Sequence, residues 1–226
     1  MAVLKGEGRF PMIFGTATLP VPPNRTAYIA RPDVEGEHPT VIIAHDQSGV
    51  SPGVKVIARY FARHGYSAIV PDLTRGSPSD DDGFEWTVSD LADGVESARI
   101  PGTEWASESR IALVGIGVGG VPASIVAVES EVGCLVLVGA ALEADLLAAF
   151  GGALLVLQGA DDELAPSDEI RDLQQSLDRG EWILYPAVGS GFLDESSESF
   201  DAAVSADALS RITGFFDQYF GEATTS

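Results

Sequence analysis

The chain has 226 residues, 45% of them hydrophobic, with 13 prolines, 25 glycines and one cysteine; that is enough for one substantial core and predicts a single domain over 1–226. Its formal net charge is -21, from 34 acidic against 13 basic residues, a field that repels phosphate backbones and anionic lipid, so neither nucleic acid nor a membrane is an expected partner. With no apolar run of about 20 residues, no secretion signal at the start and no disulfide open to the lone Cys134, the expected location is the cytoplasm.

Taken in chain order, short apolar or β-branched runs predict strands at Ile13 to Leu19, Thr26 to Ala30, Thr40 to Ala44, Ser67 to Val70, Arg110 to Val114, Cys134 to Val138, Ala153 to Gln158 and Glu181 to Tyr185. Helical periodicity falls between them, at about Gly53 to His64, Val88 to Ile100, Val121 to Ser130, Ser167 to Leu177 and Asp201 to Phe220. The last six strands are uniformly apolar and alternate with helices, the pattern of a parallel sheet covered on both faces. The fold class is therefore α/β, with two leading strands followed by strand–helix repeats. Thr74 to Gly83, rich in Gly, Pro, Ser and Asp, reads as a solvated loop.

In an open parallel sheet, ligands bind outside the carboxyl ends of the strands. Standing there are His45, Asp46, Gln47 and Ser48 after the third strand, Asp72 after the fourth, Gly115 to Gly120 after the fifth, Gly159 to Glu163 after the seventh and Gly189 to Phe192 after the eighth. Within Gly115-Ile-Gly-Val-Gly-Gly120 a strand breaks into a glycine turn and a helix, an arrangement that in many hydrolases lifts a nucleophile into a pocket. Gly115-x-Gly117-x-x-Gly120 also matches a dinucleotide fingerprint, but the next strand ends Val138-Gly-Ala-Ala141 and the first acid beyond it, Glu143, stands too far along to serve the ribose.

Gln158-Gly-Ala-Asp-Asp-Glu-Leu-Ala-Pro166, Tyr185-Pro-Ala-Val-Gly-Ser-Gly-Phe192, Ala44-His-Asp46 and Gly65-Tyr-Ser-Ala-Ile-Val-Pro-Asp72 occur in register from about Thr26 to Phe220. Together they resemble the dienelactone hydrolase family of α/β-hydrolases. The resemblance implies an eight-stranded, mostly parallel sheet with helices on both faces, and acyl transfer by a triad of Cys or Ser, His and Asp. Carried over by position, the acid is Asp162, the nucleophile position is Gly117 and the histidine position is Ser190. Asp46 stands where the family usually has a Glu.

An acid without its imidazole has no ring to orient, so the expectation is a family member without a working triad, holding a pocket for a small neutral or cationic ligand. The expected lining is His45, Asp46, Gln47, Ser48, Ile116, Val118 and Phe192, with no metal and no cofactor. The alternative enzyme reading is an ester or lactone hydrolase using Asp162, Asp46, Ser48 or His45; the alternative binding reading is the dinucleotide turn. Cys134, at the amino end of its strand, is expected to be a packed core thiol, His45 to brace its loop, and His38 and His64 to be solvated. Asp194, Glu195 and Glu198 are expected in a solvated loop, and Phe215, Phe216, Tyr219 and Phe220 on a buried helix face.

Overall fold

A computed structural model of the chain describes residues 8–74, 84–100 and 104–221. In chain order the elements are β1 (Met12–Thr18), β2 (Thr26–Pro32), β3 (His38–Ala44), α1 (Pro52–Arg63), β4 (Ser67–Pro71), α2 (Phe84–Arg99), β5 (Ala106–Ile116), α3 (Gly120–Glu129), β6 (Cys134–Val138), α4 (Ala144–Ala149), β7 (Ala153–Gly159), α5 (Ser167–Leu177), β8 (Glu181–Tyr185) and α6 (Ala202–Phe220). The eight strands form one sheet in the order β1-β2-β4-β3-β5-β6-β7-β8. β1 and β2 pair antiparallel, β2 lies antiparallel to β4, and every pairing from β4 to β8 is parallel.

The uniform apolarity of the central strands follows from burial on both faces. Val41, Ile43, Val114, Val136 and Leu155 meet Ile57, Phe61, Ile212 and Phe216 of α1 and α6 on one side. Their alternating neighbours Ile42, Leu113, Leu135, Leu137 and Val156 meet Leu91, Val95 and Val126 of α2 and α3 on the other. Side chains alternate across a strand, so a strand buried on both faces loses its polar positions altogether. Cys134 opens β6, is fully buried, and burial pushes its thiol far up; it is a core residue.

Four expectations are corrected here. α4 is an element that periodicity missed, a six-residue helix with only Leu147 fully in the core. α2 begins at Phe84, a turn earlier than expected. His38 is buried where β3 begins, its Nε2 3.3 Å from the Val34 carbonyl and its ring edge-on to Phe10, and His64 is half-buried and stacked on Tyr60 at 4.0 Å. Of the aromatic residues ending α6, Phe215 and Phe216 are buried while Tyr219 is exposed. The predicted loop from Thr74 to Gly83 lies, after Thr74, outside the described residues.

Candidate functional site

The strand-to-helix turn after β5 is sharp, and glycine makes it so. Gly117 sits at φ +58°, in the left-handed region, and opens a single 3-10 turn, Gly117–Gly119, that runs straight into α3. Glycine enters this region without a Cβ penalty. The neighbouring glycines answer to space: a Cβ on Gly119 would lie 2.4 Å from the Ala44 carbonyl oxygen, one on Gly120 2.5 Å from that of Ala141, and one on Gly115 2.7 Å from the Gly120 Cα. Close approach of the turn and α3 to the end of β3 and to the segment after β6 accounts for the glycine spacing without a bound phosphate.

At Gly117 itself the nearest neighbour is Asp46, whose Cβ would stand 2.9 Å from an added Cβ. The Asp46 side chain therefore borders the space into which a residue at the elbow would project. Its Oδ1 accepts from the Ser48 N–H at 2.8 Å and from the Ser48 hydroxyl, an Asx turn that fixes the carboxylate after β3.

His45, beside it, is buried and has both ring nitrogens engaged. The Leu73 N–H donates to Nε2 at 3.1 Å, so the proton resides on Nδ1, which donates to the Asp46 carbonyl at 2.7 Å. Burial outweighs that carbonyl bond and the nearby Asp46 and Asp72 charges, and the imidazole's pKa is lowered. The ring thus braces the loop and has no free nitrogen for proton transfer. Below about pH 6.5, the unfolded chain takes up a proton at this ring that the folded chain resists, so stability falls as the pH drops through the window under the unfolded value. His45→Gln should flatten part of that slope in thermal melts between neutral and mildly acidic pH. A slope identical to that of the wild type would show that the ring titrates freely in the fold.

Asp162 lies in the turn after β7, which backbone bonds from Ala160 N to Tyr185 O (2.8 Å) and from Asp161 N to Val188 O (3.0 Å) knit to the turn after β8. It is buried, 3% exposed. Its Oδ2 accepts from Gln158 Nε2 at 2.7 Å and its Oδ1 from the Leu164 N–H at 2.9 Å. Burial raises its pKa, against the pull of the Leu164 N–H. Gln158, fully buried, also accepts from the Ala140 N–H at 3.1 Å, so one amide ties Asp162 to the end of β6. Sequence reasoning passed over Gln158; the signal was a single amide ending an otherwise apolar strand, where an unpaired polar group would be costly.

Between these walls lies a cavity of about 380 Å³, lined by Asp46, Gln47, Ser48, Ile116, Gly117, Val118, Glu163, Leu164, Ser190, Gly191, Asp194, Ser196 and Ser197. The structure thus brings Gly117, Ser190 and five of the seven expected pocket residues to one cavity. His45 and Phe192 are corrected: both are buried behind the wall and neither is a lining residue; Asp162, the expected acid, is likewise buried outside this lining. The acidic lining comes instead from Asp46, Glu163 and Asp194, and no Lys or Arg faces the cavity among these residues.

Asp194 is no solvated loop acid. Its Oδ2 accepts from the Ser51 hydroxyl at 3.0 Å, and its Oδ1 from the Ser196 N–H and hydroxyl at 2.8 and 2.6 Å. Burial pushes this carboxyl up, but the hydrogen bonds from Ser196 and Ser51 outweigh it and hold the pKa below the usual range. Ser51 also caps α1 through the Val54 N–H. The carboxylate fills the place of a Gly53 side chain, an added Cβ there lying 2.1 Å from Oδ1. The loop after β8 is thereby stapled to the start of α1, a link across 143 residues that spacing alone does not reveal.

A parallel sheet of this order, with a glycine elbow after β5 and a pocket at the carboxyl ends, defines an α/β-hydrolase fold. The model of the dienelactone hydrolase family matches residues 26–220, and the chain belongs to that family. An Escherichia coli (strain K12) protein named "Putative carboxymethylenebutenolidase" is 26% identical over 228 residues, covering 88% of this chain and 84% of its own. "Carboxymethylenebutenolidase 1" of Cupriavidus pinatubonensis is 27% identical over 211 residues, covering 82% of this chain and 88% of its own. Among solved structures, a Klebsiella pneumoniae protein described as "Putative Dienelactone Hydrolase" superposes with a TM-score of 0.81 at 23% identity, covering 92% of this chain and all of the other; this likeness speaks for the fold. Among the described residues, no helix is long and apolar enough to cross a membrane.

Proposed function

We propose that this chain is a dienelactone hydrolase family member whose pocket binds a small neutral or cationic molecule and does not run triad chemistry. The observation that carries the reading is Gly117: the elbow turn keeps its left-handed backbone while presenting no side chain, and Asp46 abuts the vacated position. An acyl transfer through a covalent intermediate needs an activated nucleophile with its base in hydrogen-bond reach. Ser190, at the histidine position, supplies no imidazole, and the one nearby ring, His45, is fully bonded within its loop. Serine hydroxyls and carboxylates without a lining cation suit a hydroxyl-bearing or positively charged ligand and disfavour an anion. The chain's negative field acts in the same sense, against nucleic acid and anionic membrane.

The test is a thermal-shift and calorimetric series with tetramethylammonium, an aliphatic amine, glycerol and acetate. An occupant at about a hundred times its Kd stabilises a fold by roughly 2.7 kcal/mol. The amine or the polyol should raise the melting temperature and acetate should not, and Asp46→Asn should weaken the amine more than the polyol. Binding of acetate alone would reverse the reading of the pocket's charge.

The second reading, a hydrolase with a non-standard site, draws on one observation, the Ser48 hydroxyl bonded to the Asp46 carboxylate inside the cavity. It requires that hydroxyl to become acylated, and is separated from the first by the covalent test at the end of the Discussion.

A further inference from the structure

Away from the pocket, the sheet ends on a strand that carries no charged residue and whose outer edge no described residue covers. β1, Met-Ile-Phe-Gly-Thr-Ala-Thr, pairs only with β2, through seven consecutive register pairs without a bulge, and no described residue hydrogen-bonds to its outer side. Proteins ordinarily blunt such an edge with a charge, a proline or a bulge, because its free N–H and C=O groups template pairing with another chain. β1 has none of these devices. It also exposes Ile13 (44%) and Phe14 (51%), and Val56 on the adjoining α1 is exposed as well.

On the α1 face of this edge the charge reverses that of the molecule. β1, β2 and α1 contain no acidic residue, in a chain with 34. Lys55 lies over the Tyr28 ring at 5.7 Å, and Arg59 over the Phe14 ring at 5.3 Å with its Nη1 donating to the Tyr28 hydroxyl at 3.3 Å. Neither cation has an acidic partner among the described residues. On the other face of the strand, Arg31 stands opposite Ile13 in the register but shares a cleft with Asp33, Glu35 and Glu104, so the positive charge is confined to the α1 face. Asp33, whose N–H bonds Pro11, lies at one end of this surface, just beyond β2.

We propose that the β1 edge docks an acidic, extended segment of a partner protein, which adds to the sheet as a ninth strand. Main-chain groups of β1 supply the pairing, and Lys55 and Arg59 meet acidic side chains on the α1 face of the added strand, a recognised mode of peptide capture. The open hydrogen-bonding edge is what selects a polypeptide over a lipid surface or a nucleic acid, since only an extended backbone satisfies it. A second copy is disfavoured by charge: pairing β1 with β1 about a twofold axis would set both α1 helices on one face and oppose their cations.

The test begins with a library of random linear peptides displayed on phage and panned against the full chain. Enriched sequences should carry Asp or Glu at alternating positions among β-branched residues. A synthetic peptide of that consensus should bind with salt-sensitive affinity in fluorescence anisotropy and lose roughly tenfold or more on the Lys55→Glu, Arg59→Glu double variant, two exposed pairs being removed and reversed. N-methylation along one edge of the peptide backbone should abolish binding while methylation along the other is tolerated, which separates strand addition from general charge attraction. Circular dichroism and melting temperature confirm that the variant is folded. The proposal fails if no acidic consensus is enriched, if the variant binds equally well, or if neither methylation pattern matters. It also fails if light scattering shows a dimer of the chain that the same variant dissolves, or if vesicles rich in anionic lipid occupy the face in place of peptide.

Discussion

Gly117→Cys combined with Ser190→His should hydrolyse small aryl esters and lactones about 10² to 10⁴-fold faster than either single variant, the range that a positioned general base contributes. A thiol at the elbow is activated only when an imidazolium lowers its pKa and an acid behind the ring fixes the tautomer, so the gain should be confined to the double. The acid is in place for this. Asp162 Oδ2 and the Gly191 N–H each lie 3.5 Å from the same ideal point, the missing Cβ of Gly139, so the carboxylate and the backbone beside residue 190 share one gap. The cost falls at Gly117, where the new side chain adopts φ +58° and its Cβ presses Asp46 at 2.9 Å; a non-glycine residue held there loses on the order of 1 to 3 kcal/mol. Steady-state assays of the wild type, both singles and the double decide the matter. A folded double without activity would mean that the Gln158 bond holds Asp162 away from the ring, and that the pocket has been rebuilt beyond its two missing groups.

Gly119→Ala should destabilise the fold by about 1 to 3 kcal/mol or more, the usual penalty of overpacking. The added methyl would stand 2.4 Å from the Ala44 carbonyl oxygen and 2.6 Å from that of His45, both backbone atoms that no rotamer change can move aside. Chemical denaturation would measure the loss as a lower midpoint at unchanged slope. A neutral substitution would show that α3 can lift off β3 without penalty, and would undo the packing account of the glycine turn.

Much of this architecture is legible in the chain because central strands buried on two faces must be written almost wholly in apolar residues. All eight strands, and five helices in amphipathic or apolar stretches between them, stand out for that reason. α4 did not, being six residues long without a side-chain cap; too few positions exist for a period to show. At the site, motif spacing carries Gly117, Asp162 and Ser190 to neighbouring loops, because the turns after successive parallel strands converge on one edge. Spacing is silent on which atoms then meet. Gln158 on Asp162, the Leu73 N–H on His45 and Ser51 on Asp194 are contacts between distant segments or across a folded turn, and they decide that His45 and Asp162 are braced behind the pocket while Asp194 lines it. His38 was misread for a related reason: Phe10, whose ring packs edge-on to it, comes from the segment just before β1 and not from its own.

The central claim, a pocket kept for binding without a nucleophile, is tested most directly by intact-protein mass spectrometry after incubation with an activated aryl ester, read alongside the release of its chromophore. The expected result is an unmodified mass and no burst, because no hydroxyl or thiol at the elbow can hold the acyl group. Removing triad members can still leave a slow turnover of roughly 10³ to 10⁴ over water from binding and oriented donors alone, so weak steady hydrolysis without an adduct agrees with the account. A stoichiometric acyl adduct mapped to Ser48, His45 or Cys134 would contradict it and establish the chain as a hydrolase working by another route.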